Sequence, residues 1–296
     1  MARPIPARST GSYRSAYPHW FYVPAGLVFG VFFLVPTAIA FFFAFTRWTL
    51  FEWNWVGFDN FRQFFREPAL TKGLRNTVIF AAITCTLKVI LGLLLAVLLT
   101  SRLKLQGALR SIVFFPTLVS TVAVGATFRV LLHPSDGLVN VTLSGFGIEG
   151  PHWLTDPNIA LVTVALVDVW KGVGLATLIF IAGIVSIPQE YREAVQIDGG
   201  GFWATLRYVI IPLCRPATYT VILLAFVGGL RSFDLIWTMT GGGPGFTTDV
   251  LASTIYKQYQ AGFYGLATAG NVVMFLLVVV LAYPMLRYFR SRELQL

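Results

Sequence analysis

Long apolar runs recur six times along the chain, each separated from the next by a shorter polar segment. A helix rises 1.5 Å per residue and needs about 20 apolar residues to cross a bilayer's hydrocarbon. The runs 20–45, 76–100, 111–132, 158–185, 217–238 and 267–289 meet that requirement and predict six transmembrane helices. The first run is almost unbroken, whereas Arg231 and Asp234 interrupt the fifth. Pro24, Pro36, Pro116 and Pro284 fall inside or near these runs. Proline is tolerated in a membrane helix when neighbours or water satisfy the carbonyls it frees. The pattern predicts an all-α integral membrane fold.

Composition strengthens that reading. Of 296 residues, 56% are hydrophobic and 12% charged, against about 25% charged in an average soluble domain. The chain cannot cover a water-soluble globule, and disordered, collagenous and disulfide-scaffold classes are excluded as well. The 26 Phe and 8 Trp suit lipid-facing and interfacial positions. Cys85 and Cys214 stand alone in or beside apolar segments and read as buried thiols, with neither a metal site nor a disulfide indicated. His19, His133 and His152 lack ligand spacing. No short apolar run with a small-residue cleavage site follows Arg3, Arg8 and Arg14, so no removable signal peptide is expected.

The net charge of +9 fits basic cytoplasmic loops better than nucleic-acid binding. With the N-terminus inside, the inner segments hold twelve cations: Arg3, Arg8, Arg14, Arg102, Lys104, Arg110, Arg192, Arg207, Arg215, Arg287, Arg290 and Arg292. The outer segments hold six, namely Arg47, Arg62, Arg66, Lys72, Arg75 and Lys257. This bias places both termini in the cytoplasm. The first outer loop carries five of the six outer cations and runs against the trend. Lys88, Arg129, Lys171 and Arg231 lie within the runs.

An ionisable residue at the centre of a membrane helix costs about 2.5–3.5 kcal/mol on insertion scales, so each needs a reason. Asp168 with Lys171, and Arg231 with Asp234, are opposite charges at i,i+3, on one helix face and close enough to neutralise each other. Structural self-pairing is one reading. The other is a polar lining for a hydrophilic solute, with Trp170, Trp237 and Thr240 nearby; an aromatic ring beside hydrogen-bonding groups suits a sugar's apolar face and hydroxyl edge.

The segment 187–216 between the fourth and fifth runs is amphipathic and too short to span. Pro188 suits a first helical position and Glu190 the positive end of the helix dipole. Tyr191, Ala194 and Val195 share one arc, with Arg192, Glu193 and Gln196 opposite, and Glu193 is placed to brace the turn that follows. Gly199, Gly200 and Gly201 then stop the helix, and a second short helix from Phe202 ends at Pro212. Such a helix–turn–helix either lies among lipid headgroups or seats in a cytoplasmic partner.

These residues carry a resemblance. Glu190, Glu193, Ala194, Asp198 and Gly199, followed by Ile211, Pro212 and Pro216, resemble the EAA loop of binding-protein-dependent ABC importer permeases. In that family the loop forms the coupling helix that seats in an ATPase subunit. Val195 and Gly200 depart from the family pattern, each replacing an alanine. The stretch Phe233-Asp234 through Thr240-Gly241-Gly242-Gly243-Pro244, with Thr248 and Tyr256, resembles a signature of carbohydrate-uptake permeases. By itself, the glycine-proline run reads as a tight outer turn. Trp55-Val56-Gly57-Phe58-Asp59-Asn60-Phe61, Gly137 with Asn140, and Trp170-Lys171-Gly172 are similar to segments of the MalF/UgpA-type permease, the first of two unlike permeases in sugar importers.

The resemblance implies a type I ABC importer transmembrane domain with six helices and a cytoplasmic coupling helix. Its implied partners are a second, MalG-type permease, two ATPase subunits carrying ATP and Mg, an extracytoplasmic solute-binding protein, and a sugar or polyol solute. It implies a multi-pass protein of a bacterial or archaeal plasma membrane, in contact with lipid and not with nucleic acid. The division it suggests is a tail 1–19, a first helix and outer loop 20–71, a core 72–290 and a tail 291–296. A phosphate-binding loop needs Lys followed by Ser or Thr, and none of the five lysines is so followed. ATP hydrolysis is therefore assigned to separate subunits, and no cofactor or metal to this chain. Trp170, Asp234, Trp237, Thr240 and Asn271 are the candidates for the solute pathway. The rival reading is an ion-coupled secondary transporter, which would place broken helices and ion ligands at the midplane. A membrane-embedded enzyme would need a nucleophile–base or metal cluster, and the sequence offers none.

Overall fold

The computed structural model describes residues 19–49, 51–101 and 104–292. Most of both expected tails lies outside the described residues, as does Arg102. Four of the six expected crossings are single long helices, and a bent pair covers the third; a second bent pair, Phe202–Leu213 with Arg215–Leu230, joins the segment before the fifth crossing to most of that crossing.

The first crossing runs over Trp20–Phe43. It comprises α1 (Val23–Phe29), one π-turn at Gly30–Leu34 and α2 (Val35–Phe43). Pro24 and Pro36 sit in the first turns of α1 and α2, where a missing N–H costs least. No residue of this helix's most apolar stretch is buried by the rest of the chain. Its C-terminal end packs through Phe41, Ala44 and Phe45 against Ala269 and Val272. A short hairpin not anticipated from the sequence follows, with β1 (Thr46–Trp48) antiparallel to β2 (Trp53–Trp55) and Thr46 opposite Trp55. Helix α3 (Asp59–Arg66) then places Asn60 under the hairpin. Its buried Nδ2 donates to Ala44 O at 2.9 Å and to Thr46 O at 2.8 Å, satisfying carbonyls left over where α2 ends.

Helix α4 (Pro68–Thr100) starts eight residues before the expected 76. Pro68 opens it, so Lys72 and Arg75, expected in the outer loop, stand on its first turns. The expected third crossing is two helices, α5 (Gln106–Leu118) and α6 (Thr121–Leu131), meeting at 96°. The chain is extended at Val119 and Ser120, three residues after Pro116, whose ring removes one helical hydrogen bond. After α7 (Leu138–Gly145), the fourth crossing, α8 (Ala160–Val185), agrees with expectation within two residues.

Beyond α8 come α9 (Gln189–Ile197) and a second helix over Phe202–Leu213. The latter comprises α10 (Phe202–Thr205), a π-turn and α11 (Ile211–Leu213), and ends at Leu213 rather than Pro212, with Cys214 as its C-cap. Pro188 caps α9 from outside the helix. Helix α12 (Arg215–Leu230) continues after a 67° bend. The expected fifth crossing breaks at Arg231 and resumes as α13 (Asp234–Thr240). Helices α14 (Leu251–Gln260) and α15 (Tyr264–Arg292) complete the bundle.

The core lies in two main clusters at opposite ends of the bundle. Phe80, Val164, Leu235 and Ile236 pack at one end, and Ala96, Phe180, Ile184 and Cys214 at the other. Cys85 and Cys214 are free and buried.

Candidate functional site

The helix–turn–helix α9–α10 emerges at the α8 C-terminal end of the bundle. Its turn is a Schellman motif: Gly200 N–H donates to Val195 O at 2.8 Å and Gly199 N–H to Gln196 O at 3.0 Å. Gly199 has φ +76°, and nothing lies within 4 Å of where a side chain would begin. The left-handed conformation, not crowding, calls for glycine there. Glu190, Glu193, Ala194, Asp198 and Gly199 are all exposed. So are Ile197 at 85% and Trp203 at 77%, which gives the motif an apolar rim.

Two details differ from expectation. Arg192 does not share the exposed arc with Glu193; it turns inward beside Val195 and donates from Nη2 to Ile184 O at 2.7 Å. An arginine at a helix C-terminus meets both unpaired carbonyls and the negative end of the dipole, which outweighs helical-wheel polarity. Glu193 accepts from Gln189 Nε2 at 2.6 Å and so faces away from the glycine turn. Beside α9 opens a cleft of about 830 Å³ lined by Ser101, Gln106, Arg110, Arg192 and Glu193 among others. Arg110 there caps α4 through Leu99 O at 2.9 Å, as Arg192 caps α8.

The membrane-embedded charges pair between helices, not within them. Asp168 on α8 meets Lys88 on α4 at 2.5 Å, with only 20% and 12% of the two side chains exposed. Among the described residues Lys171 does not join this pair, and Arg231 and Asp234 form no ion pair; both are exposed where α12 breaks. Self-pairing at i,i+3 is therefore replaced by a cross-helix bridge, and Gly172 makes room for it. A Cβ at Gly172 would stand 2.7 Å from Lys88 Cε. Lys88, Asp168, Lys171, Thr117 and Thr121 line a cavity of about 240 Å³ between α4, α5, α8 and α12.

The five pathway candidates are dispersed. Trp237 stacks on Phe233 at 5.6 Å and meets Tyr256 edge-on at 4.9 Å. Phe233 and Tyr256 form one wall, and Asn271 another part, of a cavity of about 600 Å³ closed by Pro36, Ile39 and Phe43 of the first helix. Asp234 begins α13 one turn before Trp237. Trp170 stands apart, against Phe128 at 5.1 Å. Thr240 serves the glycine-rich turn: its hydroxyl lies 2.7 Å from that of Thr248 and accepts from Gly242 N–H at 3.2 Å.

That turn rests on residues the sequence reading passed over. Asp249 is fully buried, accepting from Ser253 Oγ at 2.7 Å and Lys257 Nζ at 2.7 Å. Asn76 Nδ2 donates to Thr247 O and Asp249 O, each at 2.9 Å. Asn76 has a signal in the sequence, as a polar residue at the start of an apolar run, where a buried group without a partner is expensive; Asp249, between the fifth and sixth runs, has none. Asn140, in the segment that follows α6, works similarly, accepting from Trp153 Nε1 at 2.7 Å.

Comparison with known proteins matches residues 88–294 to the model of a family described as binding-protein-dependent transport system inner membrane component. The chain is similar to the trehalose/maltose transport system permease protein MalF of Thermococcus litoralis, with 32% identity over 89% of this chain and 90% of that one. It is 30% identical to the arabinooligosaccharides transport system permease protein AraP of Bacillus subtilis, over 90% and 87% of the two chains. In fold it resembles a chain of a bacterial ABC transporter that imports the acidic polysaccharide alginate. There the TM-score is 0.83 at 24% identity, covering 92% of this chain and 94% of that one.

Proposed function

Because the chain belongs to the family of binding-protein-dependent transport system inner membrane components, we propose that it conducts a carbohydrate between spans four to six while coupling that passage to ATP hydrolysis on partner subunits. The chain is a permease subunit of an ABC importer with the type I fold, it works with a solute-binding protein and a second permease, and the ATPase is a separate subunit. The family assignment weighs against an ion-coupled secondary transporter. A sugar or polyol solute is supported by the named solutes of the relatives and by the aromatic cluster of Phe233, Tyr256 and Trp237, whose first two rings line the cavity.

The observation that carries the coupling role is the exposed α9–α10 motif closed by a Schellman turn. Glu190, Glu193, Ala194, Asp198 and Gly199 stand on its outward side, and we assign them to the contact with an ATPase subunit that holds ATP and Mg. That places α9 in the cytoplasm together with both termini. Among the pathway candidates, Asn271 has a cavity in support, Trp237 packs against that cavity's wall residues Phe233 and Tyr256, and Asp234 joins them by position on α13. Trp170 faces outward beside α6 and suits the seam with the second permease. Thr240 holds the outer turn. The residues 20–71 form an accessory first helix and outer platform, and 72–290 the core that carries coupling loop 187–216.

The test is substitution at Gly199. Asparagine, which tolerates the left-handed conformation, should retain the ATPase subunit on co-purification. Glutamate adds a protruding carboxylate and strains the turn, and should lose the subunit along with binding-protein-stimulated ATP hydrolysis while membrane levels hold. Full recovery of both in Gly199→Glu would show that α9 is a passive surface helix.

A further inference from the structure

At the far end of the bundle from α9, the turn between α13 and α14 presents an exposed aromatic in a costly conformation. Phe246 has φ +63°, in the left-handed region where a residue with a Cβ is disfavoured, and remains 51% exposed. An exposed Phe gains nothing from burial, so neither local preference nor the core explains the conformation. The surrounding structure imposes it. Lys72 Nζ donates to Gly245 O at 3.2 Å, and Asn76 fixes Thr247 O and Asp249 O. Thr248 Oγ1 donates to Gly243 O at 2.6 Å. Lys257, tied to the buried Asp249, holds its ammonium 5.3 Å from the centre of the Phe246 ring. A cation on one face fixes the ring's orientation and leaves its edge and other face open.

We infer that Phe246 is a preorganised anchor for the solute-binding protein. This rests on the importer reading above. Lys72 and Leu99, which marks the coupling end, are 27 positions apart on α4. At 1.5 Å per residue that is about 40 Å, so the Phe246 turn faces the side of the membrane from which a binding protein arrives. A rigid exposed aromatic pays little conformational entropy on docking and is the residue type that dominates interface energetics. Among the described residues Lys72 bonds only the carbonyl of Gly245, next to Phe246, and pairs with no carboxylate. The complementary surface is therefore an apolar pocket rimmed by carboxylates on one lobe of the binding protein.

The assay is binding-protein-stimulated ATP hydrolysis by the complete importer, titrated with the binding protein. Phe246→Ala and Phe246→Gly should raise the concentration for half-maximal stimulation about tenfold, with the maximal rate retained; glycine also relieves the left-handed strain, so the loop persists. Phe246→Tyr should restore the wild-type value. Lys72→Gln should weaken docking at low salt and match wild type near 1 M salt, where the screening length is about 3 Å. An unchanged half-maximal concentration in Phe246→Gly would overturn the assignment. So would a lowered maximal rate alone, which would place the loop in turnover rather than docking. Loss of the second permease from the purified complex would make that subunit the occupant instead. If the wild-type importer shows no stimulation by its binding protein, the importer reading itself fails.

Discussion

Removing Asp168 leaves Lys88 as an unpaired cation inside the bundle. Both side chains are largely withdrawn from solvent, at 12% and 20% exposure, and stand 2.5 Å apart. At an effective dielectric near 20, opposite unit charges at that separation attract by roughly 6–7 kcal/mol before desolvation is counted. Withdrawing the two groups from water offsets most of this, so the intact pair contributes little net stability. Breaking it is different, because one charge then stays buried without compensation, at about 3–5 kcal/mol. Asp168→Ala and Lys88→Met should therefore each lower the midpoint of heat-induced loss of monodisperse complex, read by size exclusion after heating. The double variant Lys88→Met with Asp168→Leu should recover most of the loss, since two apolar groups of similar bulk replace the pair. Additive losses in the double variant would refute the argument, as would single variants as stable as wild type.

Two further outcomes follow from the same geometry. Asn60→Ala orphans the carbonyls of Ala44 and Thr46 at the base of the hairpin and should cost about 1–3 kcal/mol locally; faster amide exchange over 44–56, with the bundle unaffected, checks it. Trp237→Ala removes the ring stacked on Phe233 and should reduce solute uptake more than stimulated ATP hydrolysis in reconstituted vesicles. Equal reductions would move Trp237 from the pathway to the scaffold.

The long apolar runs revealed the crossings because lipid enforces them locally: every backbone group must be satisfied within its own helix. The end of α9 was equally legible, since the Gly199–Gly201 run supplies the left-handed termination that residues with a Cβ disfavour. What escaped was whatever depends on a second helix. Asp168 has an opposite charge three residues away, yet its partner is Lys88, eighty positions earlier. The 96° bend after Pro116 was invisible because hydropathy runs straight through Val119 and Ser120. Arg192 looked solvent-facing on a helical wheel but is drawn inward by the end of α8. Asp249 lies between the fifth and sixth apolar runs, and nothing near it in sequence announced its burial. Of the pathway candidates, Asn271 lines the aromatic cavity and Trp237 backs its wall residues Phe233 and Tyr256, whereas Trp170 and Thr240, candidates by sequence position and chemistry, stand elsewhere.

Helix α4 is an unbroken rod of 33 residues, about 50 Å from end to end. Its upper turns grip the Phe246 loop through Lys72 and Asn76, and its last turn is clasped by Arg110 at Leu99. Lys88, near its midpoint, is pinned to α8. A stiff beam held between its ends behaves as a seesaw. Rocking it by about 10° about Lys88 would sweep the Pro68 tip, about 30 Å away, through roughly 5 Å and the Thr100 tip, about 18 Å away, through roughly 3 Å in the opposite direction, so a push arriving at the α9 end would reach the Phe246 loop inverted in sign and enlarged.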